Sequence, residues 1–510
     1  MNALRSLLVL LSLDAGAGAA PSAHVHAASE ALGAVNLPTS CGAEANAGVQ
    51  RGLSLLHHMM YEAAAEAFHA AELAQPECAI AYWGQSMSLV HPLWSDPPDA
   101  EKFRRGRQLL ETALRQQTLT ARERAYIDAL DAYYARGKSA RETGNLEAFA
   151  SGWRQVHERF PDDPDAALFY ALGELATADP GDKTFAQQKQ AGALIEAVLA
   201  RHPDHPGAHH YIIHAYDSPV LAPRALAVAR EYGKIAPDVP HALHMPSHIF
   251  TRLGYWGESI EWNRRSAAAA LRQPVAGAVS IHYLHALDYL VYAYLQRGED
   301  AKAAEIAAEL GRLRPPVQVE LASAYAFAAI PARLVLERQD WRGAAALRPR
   351  SPEWYPWDGA PAIEAITHFA RALGAARSGD PQLARQSLIR LEALRERAAE
   401  SSAYWGTQVE IQRLSALAWL QEQEGNRAQA LETMRKASSL EASTEKHPVT
   451  PGEVLPAREL LADMLFARGE FAEARAEYAK VLVRSPNRAH SLLGAERSAS
   501  RAWRPEAVAE

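Results

Sequence analysis

Histidine is concentrated in one part of this sequence. Residues 202–219, "HPDHPGAHHYIIHAYDSP", contain five histidines, and residues 241–254, "HALHMPSHIFTRLG", contain three more. Ten of the twenty histidines of the chain lie between His202 and His285. Neutral imidazole is a common ligand of zinc, copper and iron in proteins. This concentration therefore predicts a metal site, provided that the fold brings the side chains together.

Two pairs of histidines have the spacing of one helix face. His210 and His214 are four residues apart, and so are His244 and His248. Residues four apart on an α-helix project from the same face, one turn above each other. The two pairs are offset by 34 residues, as expected for equivalent positions of two neighbouring structural units. If these helices lie side by side, four imidazoles meet, and we predict all four as metal ligands.

Further candidates share these helix faces. His241 lies on the face of the second pair, while His285 and Asp288 take corresponding positions in the next unit. Asp217 lies one turn beyond the first pair. The two histidines are further ligand candidates, and the two carboxylates are candidate catalytic groups. A carboxylate could bind the ion, orient an imidazole or act as a general base, and the sequence leaves these three roles open.

A metal-free interpretation is the alternative for each histidine. A single histidine on a repeat helix is more often packed or hydrogen-bonded than bound to metal. Closely packed imidazoles without metal would, however, repel each other at low pH. His57 and His91 are interpreted as structural residues. Glu459 and Asp463 are interpreted as part of a solvated helix face, with a second polar patch in the concavity as the alternative.

A pattern of small and large residues with a period near 34 organises most of the chain. Residues 455–487, "LPARELLADMLFARGEFAEARAEYAKVLVRSPN", read as two amphipathic helices joined at Gly469, and the pattern recurs around Gly298. It resembles the tetratricopeptide (TPR) helix pair over about residues 41–499. We therefore predict an all-α fold, a TPR-like right-handed α-solenoid of antiparallel helix pairs. The paired histidines are expected on its concave side.

The composition favours an all-α protein and gives no internal domain boundary. Hydrophobic residues make up 48% of the chain, and no Gly/Ser or Pro-rich linker divides it. The formal net charge of -7 and the lack of a basic, aromatic module argue against a nucleic-acid partner.

The predicted segments are a signal peptide (1–23), an N-terminal strap (24–44), N-terminal TPR-like helix pairs (45–200), histidine-rich TPR units with the metal site (201–315), C-terminal TPR units (316–500) and a tail (501–510).

The N-terminus has the pattern of an export signal. "MNALRSLLVLLSLDAGAGAAPSA" runs from a charged start through an apolar stretch to small residues, although a short buried helix is the alternative. No other segment is apolar over 18 residues, so no membrane span is predicted. Export predicts a periplasmic or secreted protein.

In that oxidising environment the only two cysteines, Cys41 and Cys78, are expected to form a disulfide, with two buried thiols as the alternative.

Several motifs together resemble a group of exported bacterial TPR-repeat proteins. They include "HPGAHHYIIHAYD", "HALHMPSHIF" and "HPVTPGEVLPARELLADML", and the similarity runs over nearly the whole chain. The resemblance implies the helical-repeat fold and export. It implies no settled activity, so function has to be argued from the site itself.

Two functional hypotheses follow from the histidines. The first is a periplasmic metalloprotein, preferably a redox or hydrolytic enzyme, that binds copper, zinc or iron beside a small-molecule or peptide substrate in a wide concave groove. Imidazole ligation does not choose among these metals. The second is a non-catalytic TPR scaffold that binds a peptide or protein partner in the groove. The groove stripe of His and Asp opposes the second, because capture of a peptide carboxylate ordinarily uses Lys, Arg and Asn.

Overall fold

The computed structural model describes residues 31–94, 97–137 and 142–502. The predicted signal peptide, residues 1–23, lies outside the described residues, as do the first residues of the predicted strap and the tail from residue 503 onward. Within the described part the chain consists of α-helices joined by turns and loops. The only β-type pairing there is two isolated bridges between single residues.

The described residues form the α-helices α1–α24, and a short 3-10 turn lies at Trp357–Gly359. The first twelve are α1 (Ala43–His57), α2 (Tyr61–Ala74), α3 (Ala79–Met87), α4 (Ala100–Leu114), α5 (Ala121–Ala135), α6 (Glu142–Arg159), α7 (Pro164–Ala176), α8 (Ala186–Arg201), α9 (Pro206–Tyr216), α10 (Ala222–Ile235), α11 (Pro240–His244) and α12 (Pro246–Arg252). The others are α13 (Trp256–Arg272), α14 (Ile281–Gln296), α15 (Asp300–Arg312), α16 (Leu321–Glu337), α17 (Trp341–Ala346), α18 (Pro361–Ser378), α19 (Pro381–Ser401), α20 (Ala403–Gln423), α21 (Arg427–Ala442), α22 (Ala457–Ala467), α23 (Phe471–Arg484) and α24 (Ala489–Ala502).

The helices pack mainly against their neighbours in sequence. In the pair α22 and α23, Leu461 and Leu465 of the first helix and Ala474 and Tyr478 of the second are buried. Gly469, with a φ of +83°, turns the chain between them, a conformation that suits a residue without a side chain. Each helix thus buries an apolar face on the next, which makes the array continuous. The predicted all-α fold, a TPR-like α-solenoid, is confirmed.

Buried apolar side chains form two extended cores that meet at α13. The first core runs from Leu32 to Ala269, and the second runs from Ala267 to Tyr478. Trp94 packs against both. Helices α9, α11 and α12 belong to the first core, and α14 belongs to the second. The histidine-bearing helices therefore lie where the two cores meet.

A loop between α21 and α22, residues 443–456, lies against the inner helices. The Arg333 guanidinium on α16 donates to the carbonyl oxygens of Gly452 and Glu453, at 2.8 and 2.9 Å. The Tyr289 hydroxyl on α14 donates to the carbonyl oxygen of Thr450 at 3.2 Å. These bonds hold the 443–456 loop within the array. The regular repeat pattern does not predict this element.

The aromatic stretch 351–359 packs on the array. Tyr355 and Trp357 are buried. The Tyr355 ring lies 5.4 Å from that of Phe327, and its hydroxyl is 2.9 Å from Ser323 Oγ. The loop is therefore part of the second core.

The N-terminal end of the described chain is covalently tied to the first repeat. Cys41 and Cys78 form the predicted disulfide, which joins the residues preceding α1 to the start of α3. Among the described residues, no helix combines the length and the hydropathy that a bilayer crossing would need.

Candidate metal centre

Proline positions the histidine-bearing helices. Pro206 opens α9, Pro240 opens α11 and Pro246 opens α12, all at the first helical turn, where a missing N–H costs nothing. The ring of His205 precedes α9 and accepts the backbone N–H of Gly207 at 3.2 Å, which caps the helix. The stretch predicted as one helix after residue 240 is therefore two short helices.

Six histidines on α9, α11, α12 and α14 form two groups. In each group three ring nitrogens lie within 4.8 Å of one another, and five of the six residues are buried. All four predicted ligands and both further candidates take part. The first group is His210, His214 and His241, and the second group is His244, His248 and His285.

In the first group, a backbone carbonyl fixes the tautomer of His210. Its Nδ1 lies 2.6 Å from the carbonyl oxygen of His57, which can only accept, so Nδ1 carries the proton. The neutral ring then presents a lone pair at Nε2. That atom lies 3.1 Å from Nε2 of His214. Without a metal, this contact could be an N–H···N hydrogen bond from His214.

In the second group, both tautomers are fixed. Nδ1 of His244 lies 2.7 Å from Oδ1 of Asn263, whose amide nitrogen donates to the Ser259 carbonyl oxygen and so sets the amide orientation. Nδ1 of His248 lies 2.9 Å from Oδ2 of Asp217. Both Nδ1 atoms must donate, and both Nε2 atoms then carry lone pairs. These two Nε2 atoms face each other at 3.0 Å.

Two lone pairs at this distance repel unless a cation lies between them. A proton is disfavoured, because burial lowers the pKa of His244 well below its usual value and His285 and His248 lower it further. Burial, followed by His248, also lowers the pKa of His214 to about 3. A metal ion meets the need directly. Two imidazole nitrogens on one tetrahedral zinc ion lie about 3.4 Å apart, close to the spacing of the pair.

The third member of each group completes a three-nitrogen set. His241 is 2% exposed, and neither of its ring nitrogens has a hydrogen-bond partner among the described residues. Its ring centroid lies 4.9 Å from that of His210. The His285 ring lies 4.2 Å from that of His244. Buried imidazole nitrogens without partners are costly, and metal ligation would satisfy one of the two in His241.

The two groups adjoin each other. The rings of His214 and His248 are 5.9 Å apart, and those of His241 and His244 are 6.0 Å apart. Three buried nitrogens without a carboxylate suit zinc, copper or iron rather than magnesium, calcium or manganese. The arrangement thus has room for two adjacent transition-metal ions.

The two candidate carboxylates differ in their placement. Asp217 touches His248 and also binds Arg252 Nε at 2.8 Å and Lys446 Nζ at 3.0 Å. Burial opposes its ionisation, but the two cations outweigh burial and hold its pKa well below the usual range. Asp217 therefore orients a ligand imidazole. Asp288 lies in neither histidine group and pairs with Arg333 at 3.2 Å, while burial raises its pKa to about 6.

His57 contributes to the site through its backbone and has a structural side chain, as the sequence suggests. Its Nε2 lies 2.8 Å from Oδ1 of Asp165, and His205 Nε2 lies 3.1 Å from the same oxygen. His57 Nδ1 contacts the Tyr211 hydroxyl at 3.1 Å. The side chains of His57, Asp165 and His205 could also surround an ion. The ring nitrogens of both histidines, however, already have hydrogen-bond partners. His91 stacks on Tyr61, with 4.0 Å between ring centroids.

In the described part of the chain, a small cavity rather than the expected wide groove lies beside the histidines. A cavity of about 20 Å³ lies between the two groups. The 443–456 loop, which Arg333 and Tyr289 hold in place, lines one side of the cavity. Leu93 and Trp94 line another side. Its lining comprises Leu93, Trp94, His214, His241, His248, His285, Leu321, His447, Pro448 and Val449.

Comparisons with known proteins find no matching family model and no matching curated protein. Among solved structures, the chain is similar to yeast Tom70, with 12% identity over 90% of this chain and 95% of that one and a TM-score of 0.39. It is similar to a human IFIT1 dimer with PPP-AAAA, with 16% identity over 77% of this chain and 82% of that one and a TM-score of 0.35. The P58(IPK) TPR domain gives 11% identity over 90% and 98%, with a TM-score of 0.21.

Proposed function

We propose that this chain is a non-catalytic helical-repeat scaffold with two transition-metal ions, copper, zinc or iron, in its interior. The observation that carries the proposal is the pair of Nε2 atoms of His244 and His248, which face each other at 3.0 Å with both Nδ1 atoms committed as donors. The unpartnered ring of His241 supports it. In this proposal, three histidines hold each ion and Asn263 and Asp217 orient two of the ligands.

The proposal does not extend to the enzyme hypothesis. A cavity of about 20 Å³ holds one or two water-sized groups, far below the several hundred Å³ of an ordinary substrate pocket. The repeat fold favours the scaffold hypothesis, in which the array binds a peptide or protein partner. The Cys41–Cys78 disulfide supports a periplasmic or secreted location.

Metal content of the untagged protein tests the proposal. We expect about two ions per chain in the wild type and about one in each of two variants, His210→Ala/His214→Ala and His244→Ala/His248→Ala. The variant with all four changes should bind none. Elemental analysis gives the stoichiometry, and circular dichroism shows whether the helices persist.

The matched control is His69→Ala/His202→Ala, which removes two exposed histidines outside both groups. It should retain both ions. A wild-type protein that takes up no copper, zinc or iron even after reconstitution would refute the metal proposal. The scaffold hypothesis without metal would then remain, and a pull-down would be used to find the partner.

A further inference from the structure

We infer that the cavity between the two histidine groups binds one small monoanion, of the size of hydroxide or azide, that bridges the two ions. This inference rests on the proposed metal centre. The cavity is lined by His214 and His241 from the first group and by His248 and His285 from the second. A ligand held there lies beside both groups at once.

Charge balance calls for an anion at this place. Six neutral imidazoles bring no negative charge to two divalent ions, and neither histidine group contains a carboxylate. The carboxylate that touches a ligand, Asp217, already pairs with Arg252 and Lys446. Uncompensated buried charge is expensive, so an anion bound between the ions stabilises the loaded site.

The size of the cavity restricts the anion. Its volume of about 20 Å³ corresponds to one or two water-sized spheres. Azide has about the length of two touching water molecules, whereas benzoate is far larger. Leu93, Trp94, Leu321 and Val449 supply apolar walls, and the described residues that line the cavity include no Lys or Arg. The ions, rather than protein cations, would therefore hold the anion.

Titration of the copper(II)-loaded protein with sodium azide tests this inference. We expect saturable binding of one azide per two copper ions, seen as a new charge-transfer absorption band, and no response to benzoate. Val449→Phe and Leu321→Phe fill the cavity and should weaken azide binding at least tenfold with both copper ions retained. Val483→Phe, at a side chain that is 75% exposed, is the matched control and should bind azide like the wild type.

Each outcome is informative. Failure to load two copper ions refutes the proposed function, whereas two bound copper ions without azide binding refute only the bridging site. One azide per copper ion, or unchanged binding in copper-loaded filled variants, would also overturn the inference. If the filled variants do not load copper, the comparison of azide with benzoate in the wild type decides, since equal responses contradict a cavity of about 20 Å³.

Discussion

Asn263 determines which nitrogen of His244 can bind a metal ion. Its Oδ1 accepts from Nδ1 of that ring at 2.7 Å, and its own amide donates to the Ser259 carbonyl oxygen. The Nε2 lone pair is therefore aimed into the second group before any ion arrives. Hydrogen bonds of this kind fix the tautomer and the ring orientation of metal-binding histidines, and their loss typically weakens affinity 10- to 100-fold.

Asn263→Leu should lower metal affinity at the second group by about 10- to 100-fold, because His244 loses its fixed orientation. Competition with a chelator measures the change, and the His210→Ala/His214→Ala background isolates the second group. Asn263→Asp retains an acceptor oxygen and should remain within a few-fold of the parent. Equal affinities in the Leu variant and the parent would contradict the positioning role.

Replacement of His241 should change the stability of the metal-free protein and of the metal-loaded protein in opposite directions. His241→Leu should raise the free energy of unfolding of the metal-free protein by about 1–2 kcal/mol, because two buried nitrogens without partners disappear. The same change should reduce the rise in melting temperature caused by metal. Urea and thermal unfolding with and without metal measure both effects.

His210→Leu is the control for this effect, since it breaks the bond to the His57 carbonyl and should destabilise the metal-free protein. If His241→Leu is destabilising without metal to the same extent, the unpartnered nitrogens are not the cause. The comparison separates the cost of an unsatisfied ring from the general cost of changing the core.

Residue types and spacing were enough to predict the six histidines but not the groups that orient them. Helical periodicity links His210 to His214 within α9, and the same spacing links His244 to His248 across the join between α11 and α12. The contact between Asp217 and His248 spans 31 residues, and that between His210 and the His57 carbonyl spans 153. Such pairings depend on how helices stack, which a local pattern does not encode.

At the scale of helices, the packing of α24 on α22 corrects one sequence interpretation. Glu459 and Asp463 were expected on a solvated face. Both are instead buried or nearly so: Glu459 binds Arg488 through two 2.8 Å bonds, and Asp463 binds His490 at 2.7 Å. The helical frame correctly places the two carboxylates on one face. It does not predict that the last helix covers that face with matching cations.

The ion pair between His490 and Asp463 should make stability depend on pH. Burial disfavours the imidazolium, but Asp463 outweighs burial and raises the pKa of His490 to about 9. A raised pKa stabilises the fold fully below the unfolded value near 6.5, and this contribution is lost as the pH rises through about 9. His490→Gln should therefore cost roughly 1–3 kcal/mol at pH 6 and little at pH 10.

Urea unfolding at the two pH values measures this difference. Asp463→Asn/His490→Gln is the control, because it removes both charges and should show no further pH dependence from this pair. A His490→Gln cost that is equal at pH 6 and pH 10 would show that packing, and not the ion pair, holds α24 in place.

At the scale of the whole molecule, the second histidine group joins the two cores. His244 and His248 come from helices of the first core, and His285 comes from α14 of the second. The 443–456 loop lies over the same place, where Lys446 reaches Asp217 across 229 residues of sequence. An ion bound there would tie together segments that are distant in the chain.

Removal of metal should therefore loosen this junction more than the rest of the array. Ligands that bind only the folded state stabilise it by mass action, and they suppress the local openings that would break the binding site. We expect hydrogen exchange in the metal-free protein to become faster in α14 and in the 443–456 loop, with little change in α4 and α5, which are remote from the histidines in sequence and contribute no ligand. Mass spectrometry of peptides from the loaded and metal-free protein measures both.

His285→Ala with metal present should reproduce the faster exchange of α14, because it removes the ligand that the second core contributes. Exchange that increases equally in α4 and α14 would mean that the ions stabilise the fold without connecting its two cores.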